Sequence, residues 1–354
     1  NLSVGLLTGS TKPKERDILL NNLLIGKTNI LIGTHALIEE RVRFKKLGLV
    51  VIDEQHKFGV AQRAKLWSKK EEYYPHVLVM TATPIPRTLA LTLYGDLDVS
   101  VIDELPKGRK EIITSHRNDN SRLKVLNFIK QTVESGSQVY IVYPLIEESA
   151  KKDHKDLMDG YESLTRYFPD TQIGVLHGRM KAENKDYEMK RFVEAKTKIL
   201  VSTTVVEVGV DVPNASVIII ESAERFGLSQ LHQLRGRVGR GKKQSYCILM
   251  TKYDISKESK ERIKAMVETS DGFKIANTDL KLRGPGNMMG TKQSGLLELR
   301  FTNLAEDYES IKKTRITAIN LIEEDPELSS KENIEIKNYL KNNIKSNINW
   351  SRIS

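Results

Sequence analysis

Two acidic side chains, Asp53 and Glu54, leave the apolar run LGLVVIDEQH side by side. A continuous apolar run of this kind reads as a buried parallel strand, and open α/β sheets bind ligands at the carboxyl ends of their strands. Adjacent carboxylates there suit phosphate hydrolysis. One can hold the hydration shell of Mg²⁺ while the other polarises an attacking water. Gln55 and His56 follow, and a His beside two acids can hydrogen-bond outward as well as pack. A strand end that is simply solvated is the plainer alternative.

The segment QLHQLRGRVGRG, residues 230 to 241, carries the complementary charge. At helical spacing Gln233, Arg237 and Arg240 fall within an arc of about 60°, with Leu231, Leu234 and Val238 on roughly the opposite face. One face therefore packs and the other aims two guanidiniums and an amide at one point. Gly236 and Gly239 each cost a helix about 1 kcal/mol relative to Ala, which suggests close backbone approach as their purpose. Arginine presented in this way can stabilise charge on a transferring phosphoryl group. An exposed basic helix is the competing reading.

Two further stretches bear on phosphate chemistry. In HVLVMTATPIPRT, Thr81 and Thr83 bracket an alanine at a strand end, and Pro84 and Pro86 forbid its continuation. A capped turn explains this, and so does a hydroxyl relay beside Asp53. NNLLIGKTNI contains the Gly-Lys-Thr that ends a nucleotide-binding P-loop, but Asn21 stands where the first glycine belongs. The order of elements is reversed as well. ERDILLNNLLIG has helical spacing and Gly26 reads as its C-terminal glycine, with NILIGT as a following strand. No other segment offers a P-loop.

The elements that must position these groups alternate along the chain. SVGLL, NILIG, LGLVVID, HVLVM and VSVID predict strands separated by helical patterns up to about residue 105. The Pro/Gly segment LPKGRK reads as a linker. A second series follows: EIITSH, QVYIVYP, QIGVLH, KILVST, SVIIIES and SYCILM. Beyond residue 263 a Gly-rich loop gives way to helices, with KENIEIKNYLKNNIKSNINW amphipathic. With 354 residues, the prior is two domains and an appendage. No run reaches the length of a membrane span. The single cysteine, Cys247, excludes an internal disulfide and a multi-cysteine metal site, and fits a cytosolic protein. A net charge of +10 is compatible with a polyanionic partner without demanding one. The abrupt strand at NLSVGLLTGS suggests a chain that begins inside a domain.

TGS, GTHAL, DEQH, TATPIPRTLA, STTVVEVGVDVP and QLRGRVGR stand in the order of the superfamily 2 helicase motifs, from the Ib region through motif VI. The resemblance covers nearly the whole chain. It implies an α/β protein with two tandem RecA-like domains and parallel sheets, the first truncated at its N-terminus, plus a C-terminal hairpin and helical region. ATP and Mg²⁺ would occupy the cleft and nucleic acid would cross the top. Asp53 and Glu54 would serve Mg²⁺ through water, Gln233, Arg237 and Arg240 would reach the γ-phosphate, and Gly209 and Asp211 would border the nucleotide. Thr8, Gly9, Thr34, His35, Thr81, Thr83, His177 and Gly178 would lie toward DNA.

DLKLRGPGNMMGTKQSG, residues 279 to 295, resembles the translocation motif shared by the RecG family and the transcription-repair coupling factor. There Arg283 and Gln293 would couple cleft closure to movement on duplex DNA. Arg-Gly-Pro-Gly, DEQH and FGVAQR stand closer to the RecG family, although Lys57 and Asn287 replace the expected Arg and Glu. The implied domains are residues 1–107, 108–262 and 263–354. The implied parent is a cytoplasmic, monomeric, ATP-dependent DNA helicase acting on forks and Holliday junctions, with single-stranded DNA-binding protein as a further partner and no membrane association. Lacking a P-loop, the chain by itself is expected to be ATPase-deficient. A coupling-factor translocase, a non-catalytic DNA-binding piece and an RNA helicase remain as rivals.

Overall fold

The computed structural model describes residues 2–54, 75–82, 98–102, 104–106, 108–144, 150–203, 210–283 and 307–343. The chain divides into two compact units, residues 1–82, 93–98 and 312–354 in the first, and 83–92 and 99–311 in the second.

In the first unit β1 (Val4–Leu7), helix α1 (Pro13–Leu24) and β2 (Ile30–Gly33) form one parallel βαβ turn, with Leu7 opposite Gly33. Pro13 opens α1, where a missing amide costs nothing. Gly26 closes it in the left-handed region at φ +78°, where a Cβ would also run into the Lys45 side chain. Gly-Lys-Thr is thus a helix stop before a strand, as its context suggested. A short 3₁₀ turn, His35–Ile38, follows β2, and β3 (Leu49–Ile52) pairs in parallel with β4 (His76–Val79). Leu7, Leu23, Ala36 and Val42 make a small core, and Ile38 packs with Ile52 beside it. Val4, Leu6, Ile30, Ile32, Leu49, Val51 and Leu78 are exposed, so these strands bury essentially one face.

The second unit is built on a six-stranded sheet in the order β5-β10-β9-β6-β8-β7, every neighbour parallel. Its elements run β5 (Ile113–Asn118), α2 (Arg122–Glu134), β6 (Gln138–Val142), α3 (Ala150–Tyr167), β7 (Ile173–Leu176), α4 (Ala182–Val193), β8 (Ile199–Ser202), β9 (Ala215–Ile220), α5 (Leu228–Arg235), β10 (Tyr246–Thr251), α6 (Lys257–Glu268) and α7 (Gly272–Arg283). Alternation along β6 sends Tyr140 and Val142 into one core layer and Val139 and Ile141 into the other. Both faces are covered, which is why these strands read as unbroken apolar runs. Cys247 lies fully buried in β10.

One predicted strand is absent. In VSVID, residues 99–102 carry no strand pairing, and Ile102 is 91% exposed, so its apolar run finds no sheet. Helices α8 (Tyr308–Glu324) and α9 (Ile334–Asn343) follow, joined through Asp325, which accepts the amides of Ser329 and Ser330 and the Asn333 side chain. The rest of the expected C-terminal amphipathic stretch lies outside the described residues. No helix among the described residues is long and apolar enough to cross a membrane.

Candidate functional site

Asp53 and Glu54 follow β3 directly, at its carboxyl end. Glu54 sits at φ +52°, a left-handed conformation that is uncommon for a residue with a Cβ and that costs about 1–2 kcal/mol. The Asp53 carboxylate accepts the Glu54 amide at 2.9 Å, a local bond that steadies the turn. The β3–β4 register sets Ile52 opposite Val79, and the Met80 amide reaches the Ile52 carbonyl at 2.7 Å. Thr81 and Ala82 therefore come level with the two acids. The Ala82 amide donates to Glu54 Oε2 at 3.4 Å, so a backbone group joins the carboxylate to the segment that leaves β4. Thr83, Gln55 and His56 lie outside the described residues. Among the described residues no three His, Cys, Asp or Glu side chains converge as a metal site. Two oxygen-donor acids alone suit Mg²⁺, which keeps most of its waters and takes few protein ligands.

At the carboxyl end of β1 and β2 the structure brings Thr8 and Gly9 beside Thr34 and His35. The Thr34 amide donates to the Leu7 carbonyl at 3.3 Å, and a side chain at Gly33 would collide with that same carbonyl. Thr8 is held by its own loop, its amide on Thr11 Oγ1 at 2.9 Å and its carbonyl accepting Arg16 at 3.2 Å. Arg16 is fixed in turn by Glu39 at 3.0 Å.

The arginine segment departs from the single helix that its spacing predicted. Helix α5 ends at Arg235, with Gly236 as its cap, and Gly239 turns the chain at φ +78°. A Cβ at Gly239 would lie 2.8 Å from Ile112, and one at Gly241 would overlap the Pro213 carbonyl. The glycines thus do allow close approach, but in doing so they end the helix. Gln233 remains helical while Arg237 and Arg240 stand on the loop beyond. The apolar side behaves as expected: Leu231, Leu234 and Val238 are fully buried.

Packing of Gly241 on Pro213 brings Arg240 to Asp211, with Nη1 3.5 Å from Oδ1, while Arg240 Nε donates to the Gly236 carbonyl at 3.3 Å. Beneath them lies Tyr140, whose phenol is pushed up to about 12 by burial against the opposing pull of Arg237 and Arg240. Gly209 lies outside the described residues.

Three residues that position this loop were not singled out from sequence. Arg235 is buried and donates to the carbonyls of Met266, Thr269 and Ser270 at 3.0, 2.9 and 3.2 Å, and to His232 Nδ1 at 3.2 Å. Its place on the apolar side of the wheel, next to Leu231, was the available signal. Arg109, within the segment read as a linker, donates to the Gly239 carbonyl at 2.8 Å. Tyr140 was hidden because a buried strand tyrosine looks like core.

His177 and Gly178 follow β7. The His177 amide contacts Met180 Sδ at 3.4 Å and Lys185 Nζ reaches the Gly178 carbonyl at 2.8 Å, which closes the turn. Arg283 is the last residue of α7, and Gln293 lies outside the described residues.

Known proteins share this arrangement. Residues 1–92 match the DEAD/DEAH box helicase family, residues 102–242 the helicase conserved C-terminal domain, and residues 269–354 the family described as ATP-dependent DNA helicase RecG, domain 3, C-terminal. The ATP-dependent DNA helicase RecG of Synechocystis sp. is 54% identical over 337 residues, covering 95% of this chain and 40% of that protein. Its counterpart from Bacillus subtilis is 50% identical over 326 residues, covering 92% of this chain and 47% of that protein. The chain therefore spans less than half the length of these curated relatives. A structure of RecG bound to a three-way DNA junction superposes with a TM-score of 0.66 at 46% identity, over 88% of this chain and 40% of that one. The helicase MrfA bound to DNA and AMPPNP shares the fold at 16% identity, with a TM-score of 0.56 over 79% of this chain and 44% of that one. The match at residues 269–354 is specific to RecG and sets the coupling factor aside. With three helicase segments in this order and about half the residues shared across nearly its whole length, the chain corresponds to the C-terminal portion of the RecG helicases.

Proposed function

We propose that this chain is the DNA-facing and arginine-supplying portion of a cytoplasmic ATP-dependent DNA helicase that remodels forks and Holliday junctions. The observation that carries this reading is the division of labour among the arginines. Arg235 is wholly engaged in structure, whereas among the described residues Arg240 is held only by Asp211 at 3.5 Å and one carbonyl, with about 30% of its side chain exposed. A part-exposed ion pair is worth no more than about 1 kcal/mol, so a phosphate can take the guanidinium from Asp211 at little cost.

Gln233, Arg237 and Arg240 would meet the γ-phosphate, where guanidiniums offset the charge spread over a transferring phosphoryl group. Asp53 and Glu54 would serve Mg²⁺ and the attacking water, the ion supplying charge neutralisation when bound. Gly209 and Asp211 would border the nucleotide. Thr8, Gly9, Thr34, His35, Thr81, Thr83, His177 and Gly178 would face the DNA backbone, with Arg283 and Gln293 coupling the cycle to movement. On this reading residues 1–107 and 108–262 are the helicase domains and 263–354 the translocation region of a monomer. Branched DNA is the substrate, and single-stranded DNA-binding protein a further partner.

Binding of a labelled synthetic fork to the purified chain tests the DNA part. Binding that weakens steeply with salt, as counterion release requires, and that RNA of equal length competes for poorly, supports it. Absence of fork binding at low salt overturns it.

A further inference from the structure

The carboxyl edge of the six-stranded sheet bears a second feature, away from the turn after β7. Tyr253, two residues past β10, is 80% exposed, and Lys252 beside it is exposed as well. Among the described residues Lys252 is in no ion pair. It lines a cavity of about 200 Å³ at the ends of β6, β9 and β10, together with Arg122, Arg225, Tyr143 and Ser222. The acids of that cavity are already engaged: Glu221 and Asp119 each hold Arg122 at 2.9 Å, and Asp156 lies 3.9 Å from Arg225. The cavity also sits where the sheet changes winding direction, since the chain leaves β6 toward β7 and leaves β9 toward β10 on the other side. Ligands of open α/β sheets favour such a switch point.

The loop that carries the aromatic is anchored on both sides. The buried Thr251 hydroxyl donates to the Lys252 carbonyl at 2.8 Å and accepts from His116 Nε2 at 2.8 Å. Ile255 packs on the core, and Ser256 caps α6 through the Ser259 amide. An exposed aromatic on an anchored loop, next to a cation with no ion pair among the described residues, is the combination by which proteins take single-stranded nucleic acid, the ring stacking on a base and the cation meeting a phosphate.

We propose that Lys252 and Tyr253 form a second contact for single-stranded DNA, on the edge that presents His177 and Gly178. This rests on the DNA-binding reading above. From β10 to β7 there are four strand spacings, about 19 Å at ~4.8 Å each. That is the length of roughly six nucleotides of a strand stacked at the duplex rise of ~3.4 Å per step.

The test is fluorescence anisotropy of a labelled oligothymidine, about twice that length, with the whole chain over a salt series. Tyr253→Ala is expected to weaken binding about tenfold, Tyr253→Phe to bind like wild type, and Lys252→Gln to lower the salt slope by about one. Tyr253→Ala and Lys252→Gln binding with wild-type affinity and slope would overturn this contact and leave the broader reading intact. A wild-type chain that binds neither this oligonucleotide nor the fork would sink both.

Discussion

Arg235, Arg237 and Arg240 sit within six residues of one another and do different work. Arg235 is buried among carbonyls, which need its donors, so Arg235→Met should destabilise the second unit by about 3 kcal/mol or more in urea unfolding. Its neighbour His232 carries a pH prediction. Burial, and then the charge of Arg235, lower the imidazole from 6.5 to about 4. The unfolded chain takes up a proton below about 6.5 while the folded chain does not until about 4. Stability should therefore fall as pH drops through that window, by about 3 kcal/mol at full extent. Urea unfolding at a series of pH values checks this, and His232→Gln should flatten the dependence. Sequence made the polar arc legible but not the rank of its members. Type and spacing distinguish a guanidinium that faces outward from one on the apolar side only when the wheel is read for both.

At the scale of elements, ten strands among the described residues run where apolar runs stand, because both β-propensity and burial act locally in a parallel sheet. The same rule overreached at VSVID, where no partner strand covers the run. It also overreached past Arg235, where periodicity continues but glycine ends the helix. Gly239 is the decisive position. Its φ of +78° and the 2.8 Å approach to Ile112 mean that Gly239→Ala should cost about 1–2 kcal/mol and shift the loop bearing Arg240. Unfolding of the variant measures the first effect. A control at Gly136, which has a similar φ of +82° but open space around its Cβ, separates strain from collision. The tie between Glu54 and the Ala82 amide was beyond sequence reading, since any residue supplies an amide.

At the scale of the molecule, the two units differ in how completely they bury their sheets. The second encloses both faces of six strands, and the first leaves Val4, Leu6, Ile30 and Ile32 exposed. Each fully buried aliphatic side chain contributes about 1.5–3 kcal/mol, so the first unit should melt earlier. Amides of Val4–Leu7 and Ile30–Gly33 should consequently lose hydrogen-exchange protection at lower temperature than those of Ile199–Ser202 and Ala215–Ile220, and coincident loss would contradict this. Family membership was legible from motif order, while the arginine clamp and the tyrosine beneath it needed coordinates.

On the proposed function, these residues supply arginines and DNA contacts without a P-loop lysine of their own. ATP hydrolysis by the purified chain, with and without a synthetic fork and beside an Arg240→Ala control, tests it most directly. No rate above background is expected in any of these, with fork binding retained. A fork-stimulated rate that Arg240→Ala abolishes would contradict it, and would place a working nucleotide site within these residues.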